Sequence, residues 1–294
     1  MVTKSMAKNQ KKTDAAPKKK KRSGTLSNIL LSIIFLVGLG LLAYPSASDY
    51  YNSFHQTRAI LSYNESIASM NRDEYDQIIN NAKEYNKELA RTGMRWKMTD
   101  EERAVYDSEL NVSESGNMGY ITIPKLSVEL PIYHGTSESV LQRAIGHLEA
   151  TSLPVGGQGT HCVLSGHRGL PSAKLFSDLD KMVIGDTFTM SILNETLTYE
   201  VDQIRIVEPT DVSDLRLDRS EDYCTLLTCT PYGINTHRLL VRGRRIGNMQ
   251  GEAKVIADAV QIEPMYITPF IGIPLVILLV IAVFVETGRR RRRS

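Results

Sequence analysis

The sharpest chemical pattern in the sequence is a cysteine and an arginine within one predicted β-hairpin, residues 223–244. Its first half is apolar and β-branched, which predicts a strand that ends at Cys229. A Pro-Tyr-Gly turn follows, and the second strand-like run carries Arg238. If the hairpin closes symmetrically about Gly233 and Ile234, Cys229 and Arg238 lie opposite each other with their side chains on the same face.

This pairing suits nucleophilic catalysis. A thiol attacks a carbonyl only as a thiolate, so Cys229 needs a neighbouring base or positive charge. Arg238, one strand away, could donate hydrogen bonds to a substrate carbonyl or to a developing oxyanion. The alternative is that Arg238 is an ordinary surface arginine, the first of four arginines within residues 238–245.

The reaction also needs a general acid and base, for which histidine is well suited. We favour His167 among the six histidines, because it follows the apolar run 161–165 and lies in Ser-Gly-His-Arg-Gly, where glycines free the backbone at a strand end. His237 is disfavoured, since it neighbours Arg238 and points to the opposite face. The other four histidines lie where a structural role would fit: His55, His134, His147 and His161.

The remaining cysteines, Cys162 and Cys224, lie inside strand-like runs, so we expect them to be small buried hydrophobic side chains. The alternative is a disulfide between them, which would still leave one of three cysteines unpaired. No C-x-x-C and no metal-type spacing occurs, so we predict no metal site. Cys229 therefore remains the candidate reactive thiol.

Short β segments separated by turn residues would position these side chains. Strands are predicted for seven runs: residues 118–123, 128–133, 160–165, 187–193, 196–206, 223–229 and 236–244. Residues 139–147 predict a short helix with Ser139 and Gln142 in capping-box spacing, and residues 173–179 predict another helical turn. Seven or eight strands within about 130 residues predict a closed barrel or a sandwich.

The region before the strands has a different pattern. Residues 48–91 follow a helical period, and Gly93 should end this helical region. Residues 94–117 are charged and weakly patterned and contain the only tryptophan, Trp96. They predict either a plain connector or a lid across a site.

Two apolar runs, residues 29–44 and 269–285, are near the lower length limit for crossing a membrane. Each has its Lys/Arg cluster on the outer side, so the positive-inside rule places both termini in the cytoplasm and residues 46–268 outside. The alternative for the first run is a cleaved secretory signal.

The net charge of +2 combines basic ends, +8 over residues 1–28 and +4 over residues 286–294, with a middle of −10. The acidic middle argues against a central domain that binds nucleic acid. The basic ends favour termini held at an anionic membrane surface.

Thr-Leu-Leu-Thr-Cys followed nine residues later by arginine resembles the TLxTC…R signature of sortases. Four further runs, in the same order, are similar to motifs of the pilus-assembling class C sortases of Gram-positive bacteria: residues 118–125, 131–136, 165–171 and 175–179. The resemblance covers about residues 118–245, the flanking helices and the C-terminal membrane run.

This resemblance implies a sortase-like, mainly β fold: an eight-stranded β-barrel with N-terminal helices and two flanking transmembrane helices. It implies that His167, Cys229 and Arg238 form a catalytic triad that needs no metal and no cofactor. The implied reaction is transpeptidation, in which the Cys229 thiolate attacks the Thr–Gly carbonyl of an LPxTG-type sorting signal. His167 would protonate the departing amine, and Arg238 would stabilise the oxyanion.

The implied partners are pilin subunits, because a lysine amine of the next pilin would resolve the thioacyl-enzyme. A cell-wall precursor amine could take the last pilin. Two alternatives stand beside this reading: a sortase of another class that attaches surface proteins to peptidoglycan, and a non-catalytic scaffold for pilus assembly.

One feature departs from the resemblance. Class C sortases usually carry a lid anchored by Asp-Pro-aromatic, but residues 94–111 contain no proline. The lid candidates are Trp96 and Asp100, and Asp100 is followed by two glutamates. We therefore expect this segment to protect Cys229 only weakly.

The predicted domains follow from these segments. They are a cytoplasmic basic tail (1–28), a transmembrane helix or signal anchor (29–45), an extracellular helical region with the lid-equivalent segment (46–117), the catalytic β-barrel (118–246), a tether (247–268), a second transmembrane helix (269–286) and a cytoplasmic Arg tail (287–294).

Overall fold

The computed structural model describes residues 23–94, 96–112 and 115–248. The second predicted membrane helix, the C-terminal tail and nearly all of the predicted tether lie outside the described residues. The chain divides into two compact units with the boundary after residue 42.

Eight strands close into a barrel in the order β1-β2-β3-β4-β7-β8-β6-β5. They are β1 (Asn117–Ile123), β2 (Val128–His134), β3 (Ile145–His147), β4 (Thr160–Ser165), β5 (Thr187–Ile192), β6 (Glu195–Val207), β7 (Asp222–Thr230) and β8 (His237–Ile246). The period-two pattern explains them: in β5, Phe188, Met190 and Ile192 are buried in the core while the residues between them are partly exposed. The predicted closed eight-stranded barrel is confirmed.

Two strand pairs are parallel, β2 with β3 and β4 with β7. Their connections cross over, whereas β7 and β8 form an antiparallel hairpin. Because β4 and β7 run in the same direction, the segments that follow both strands emerge at the same end of the barrel. This arrangement brings residues that are distant in sequence together at one end of the barrel.

The helix predicted for residues 139–147 is wrong in its second half. The helix α4 spans only Glu138–Leu141, with Ser137 as N-cap and no side-chain capping bond. Residues 145–147 form β3, which pairs with β2 and β4. A Cβ at Gly146 would lie 2.3 Å from the carbonyl oxygen of Gly135, so this strand pairing depends on glycine. The turn predicted at residues 173–179 is a series of turns that leads to a 3-10 helix, Leu179–Lys181.

Three helices precede the barrel: α1 (Ser23–Ala68), α2 (Arg72–Thr92) and α3 (Asp100–Ser108). Gly93 caps α2 at a positive φ of 83°, as predicted. Buried hydrogen bonds join α1 and α2 to the barrel: the Tyr63 hydroxyl donates to the Met118 carbonyl (2.8 Å), and the Asn86 amide nitrogen donates to the Leu153 carbonyl (3.0 Å). These helices therefore pack on the barrel through specific polar contacts.

The connector predicted for residues 94–117 contains a helix instead. Thr99 and Glu102 form a capping box that starts α3, a signal present in the sequence. Tyr106 is fully buried, and its hydroxyl lies 2.9 Å from Nδ1 of His147. The segment is thus anchored to the barrel.

Within the described residues, one helical stretch, Ile29–Ala68, is long and apolar enough to cross a membrane by length and composition. No residue of its most apolar window is buried. A signal sequence near the N-terminus meets the same criteria.

Candidate active site

The β7–β8 hairpin has the register that the symmetric turn predicts, with Cys229 opposite Arg238. Gly233 adopts a positive φ of 74° in the turn. Side chains on β7 alternate: Cys224 and Leu226 enter the barrel core, whereas Cys229 is on the other face and is partly exposed. The thiol and the arginine therefore share the outer face at the end of the hairpin.

His167 is held beside the same end of β7 by parallel pairing. Ser165 pairs with Leu227, and the next residue continues the contact: Gly166 N donates to the Leu227 carbonyl (3.0 Å). The Thr228 hydroxyl donates back to the Gly166 carbonyl (2.7 Å). Since His167 and Cys229 each follow directly after these bonded residues, the structure brings the predicted base and nucleophile to one edge.

Glycine at position 166 is required by packing. A Cβ there would lie 2.6 Å from Cδ1 of Ile145 and 2.7 Å from Cδ2 of Phe176. Both neighbours are fully buried, so they cannot move away at low cost. The glycine beside His167 therefore allows close backbone approach, in addition to the conformational freedom inferred from the sequence.

The imidazole of His167 has a buried Nε2 with no hydrogen-bond partner among the described residues. Oε2 of Glu138 in α4 lies 3.6 Å from this nitrogen, beyond hydrogen-bond distance. Glu138 was not predicted, because only the fold brings the loop before β3 to the loop after β4. Buried polar atoms are normally paired, so this unpaired nitrogen is unusual.

Arg238 differs from the arginines that follow it on β8. Arg242 pairs with Asp202 at 2.9 Å, and Arg244 pairs with Glu221 at 3.0 Å. Arg238 has no acidic partner within the described part of the chain, and its Nη1 donates to the carbonyl oxygens of Asn235 (3.2 Å) and His237 (3.1 Å). These two bonds orient the guanidinium while leaving its other donors for a ligand.

Three other histidines have structural roles, as the sequence suggested. His161 is buried, with Nδ1 at 2.9 Å from the Arg216 carbonyl and Nε2 at 2.7 Å from the Thr225 hydroxyl. Burial lowers the pKa of His161 to about 4. His147 and His134 are likewise bonded through both ring nitrogens.

Cys162 and Cys224 are free and buried, and they pair across β4 and β7. The predicted buried thiols are confirmed, and the disulfide alternative is not what the structure shows. Burial raises the pKa of Cys224 well above its ordinary value, which favours the unreactive neutral thiol. Among the three cysteines, Cys229 alone is partly exposed.

The lid candidates lie in the segment around α3. Trp96 is 47% exposed, and Asp100 is the first residue of α3. The contacts of α3 go to the β2–β4 region, including an ion pair of Arg103 with Glu149 (2.6 Å). No hydrogen bond, ion pair or ring contact within the described residues joins Trp96 or Asp100 to Cys229. Their role as a lid stays a prediction.

The chain is similar to known proteins over the barrel. A sequence profile described as the sortase domain matches residues 121–246. Sortase C1 from Streptococcus agalactiae is 60% identical, with 65% of this chain and 99% of that chain covered and a TM-score of 0.64. A Clostridium perfringens sortase C, solved with the C-terminal cell wall sorting motif, is 44% identical, with 65% and 100% covered and a TM-score of 0.58.

Sortase D from Bacillus subtilis is 30% identical over 131 residues, which are 44% of this chain and 63% of that protein. This match spans less than two thirds of the relative's length. The sortase C1 structure, by contrast, is covered almost from end to end at high identity. With the closed eight-stranded barrel, these similarities show that the chain belongs to the sortase family of cysteine transpeptidases and has class C sortases among its structural relatives.

Proposed function

We propose that this chain polymerises pilins by cleaving their LPxTG-type sorting signals between Thr and Gly and joining them to a lysine amine of another pilin. The observation that carries the proposal is the edge where a partly exposed thiol, Cys229, lies opposite Arg238 and beside the His167 loop. The similarity to class C sortases supports the choice of substrate.

In the first half of the reaction, the Cys229 thiolate attacks the threonine carbonyl carbon. The negative charge that develops on the carbonyl oxygen accepts hydrogen bonds from the guanidinium donors of Arg238. His167 gives a proton to the glycine nitrogen as the C–N bond breaks. The products are a thioacyl-enzyme and a free glycine amine.

In the second half, an uncharged lysine amine of another pilin attacks the thioester carbonyl. His167 takes the proton that the amine loses, and the C–S bond breaks. The new bond is an amide between threonine and lysine, and Cys229 returns to its thiolate. No oxidant or reductant is consumed in this cycle.

The proposed location is the outer face of the cell membrane. The unburied apolar stretch within Ile29–Ala68 supports an N-terminal anchor. We further propose that the apolar run 269–285, outside the described residues, forms a second anchor and that both termini lie in the cytoplasm.

Cys229→Ala should abolish the covalent adduct between the full-length protein and an LPxTG peptide, measured by mass spectrometry of the intact protein. Cys162→Ala is the matched control, because that thiol is buried in the core and should leave the adduct intact. An unchanged adduct in Cys229→Ala would refute the assignment of the nucleophile.

The choice of acceptor separates pilus assembly from attachment to the cell wall. Incubation of the protein with a pilin that carries an LPxTG-type signal should give covalent ladders on a denaturing gel. Replacing the acceptor lysine of that pilin with arginine should remove the ladders. Exclusive joining to a cell-wall stem peptide would instead favour a sortase of the anchoring type.

A further inference from the structure

Arg168, the residue after the proposed base, is almost completely enclosed. Its side chain is 9% exposed. Its Nη2 lies 2.6 Å from Oδ2 of Asp180, and its Nη1 donates to the Thr230 hydroxyl at 3.3 Å. Its Nε is buried without a hydrogen-bond partner among the described residues. Burying a charged guanidinium with one unpaired nitrogen costs free energy. This cost indicates that Arg168 has a specific structural or functional role.

The partners of Arg168 belong to three different segments. Arg168 itself lies in the loop after β4, Asp180 is in the 3-10 helix Leu179–Lys181, and Thr230 is the last residue of β7. Thr230 directly follows Cys229, and Arg168 directly follows His167. One guanidinium therefore joins the loop of the base to the strand end of the nucleophile.

The hairpin turn packs on the same place. The Tyr232 ring centroid is 5.9 Å from Cζ of Arg168. A Cβ at Gly169 would lie 2.9 Å from Cε2 of Tyr232, so the ring packs directly on the glycine backbone. Gly169 also has a positive φ of 76°, which disfavours any larger residue there. The turn that follows Cys229 therefore packs on Arg168 and Gly169.

We propose that Arg168 is a positioning residue, which keeps the His167 loop and the Cys229 end of β7 at their working separation. This inference rests on the proposed function of Cys229 as nucleophile. Arg168 acts through its bonds to Thr230 and Asp180 and does not contact the reacting atoms, so its role is separate from that of Arg238. A planar guanidinium suits the task because it directs two donors to two fixed acceptors, which an ammonium does less well.

Three variants of the full-length protein test the proposal. Arg168→Met removes both donors but keeps most of the side-chain length. Arg168→Lys keeps the charge, and Thr230→Val removes one acceptor without touching the arginine. Arg244→Met is the control, because Arg244 pairs with Glu221 at the opposite end of β8 and is 51% exposed.

The first measurement is steady-state cleavage of an LPxTG peptide. Arg168→Met should lower kcat by about 30-fold and change KM by less than about threefold, because positioning acts on the chemical step. Arg168→Lys should recover part of kcat, and Thr230→Val should lose about threefold. The control should match the wild type.

The second measurement needs no substrate. The rate of Cys229 alkylation by iodoacetamide is followed from pH 5 to 9 by peptide mass spectrometry. A displaced His167 would no longer act as a base beside the thiol, so Arg168→Met should be alkylated more slowly than the wild type across this pH range. Thermal unfolding of each variant reports whether the fold is retained.

Unchanged alkylation profiles and kcat in folded Arg168→Met would overturn the inference. If that variant does not fold, wild-type kcat and alkylation in both Arg168→Lys and Thr230→Val would overturn it. A wild type that forms no thioacyl adduct, yet shows an alkylation profile dependent on Arg168, would refute the proposed function and support the positioning role.

Discussion

At the scale of single residues, two side chains of the candidate site lack partners that comparable side chains elsewhere in the described residues have. Arg242 and Arg244 have carboxylate partners, and Arg238 has none among the described residues. His167 leaves Nε2 unpaired, whereas buried His161 is bonded at both ring nitrogens. Since buried polar groups are normally paired, unused donors and acceptors at one edge are typical of a site awaiting a ligand.

Arg238→Lys should lower kcat/KM for LPxTG peptide cleavage by about 100-fold, because a lysine cannot present two directed donors to the oxyanion. Steady-state kinetics of the purified protein measures the change. Arg244→Lys is the matched control on the same strand and should stay within about twofold. Equal effects of the two substitutions would contradict the role of Arg238.

At the scale of elements, the parallel pairing of β4 and β7 decides which residues meet. The loop after β4 carries His167, and β7 carries Cys229 at its end. Close packing of Gly166 against Ile145 and Phe176 fixes this loop at the barrel edge. The α3 segment, by contrast, is fixed to the β2–β4 region through buried Tyr106.

Gly166→Ala should destabilise the protein by about 1–3 kcal/mol, because the new methyl group overpacks a rigid core. It should also slow peptide cleavage, since the displaced backbone carries His167. Denaturant unfolding and peptide kinetics measure the two effects. Gly247→Ala is the control, as nothing lies within 4 Å of a Cβ there. Wild-type stability and activity in Gly166→Ala would count against this account of the loop.

Replacing both lid candidates, Trp96→Ala with Asp100→Ala, should change the alkylation rate of Cys229 by less than about twofold. The reason is that α3 is held through Tyr106 and Arg103, and no hydrogen bond, ion pair or ring contact joins the two lid candidates to Cys229 within the described residues. Peptide mass spectrometry of the alkylated protein gives the rate. A large rise in the double variant would show that this segment covers the thiol.

At the scale of the whole molecule, acid should weaken the barrel through buried histidine. His161 bridges the loop before β7 and the barrel wall through Arg216 and Thr225. Its pKa is about 4 in the folded protein, against an ordinary value of 6.5. Between these values the unfolded chain binds the proton and the folded chain does not, so stability falls as the pH decreases from 6.5 towards 4.

The expected loss at His161 is on the order of 3 kcal/mol across that pH range. Urea unfolding of the wild type and of His161→Asn at pH 7 and pH 4.5 tests it. The variant should be less stable at pH 7 but lose less on acidification. His237→Asn, at a side chain that is 41% exposed, is the control. An identical acid dependence in His161→Asn and wild type would refute the linkage.

The sequence by itself determined the parts that depend on local pattern. Seven strands follow from period-two alternation, and the Cys229–Arg238 register follows from the length of a symmetric turn. The resemblance in ordered motifs selected His167 from six histidines. The start of α3 is also encoded locally, in the capping box of Thr99 and Glu102.

Only the tertiary structure decided the rest, because it depends on contacts between residues distant in sequence. The strand β3 has only three residues, which are too few to show a strand pattern in the sequence. It forms because it pairs with β2 and β4. Glu138 approaches His167, and Arg168 bonds to Thr230, only once the barrel closes. Local sequence patterns identify the candidate catalytic residues. The pairing of strands that are distant in sequence determines which side chains hold these residues in place.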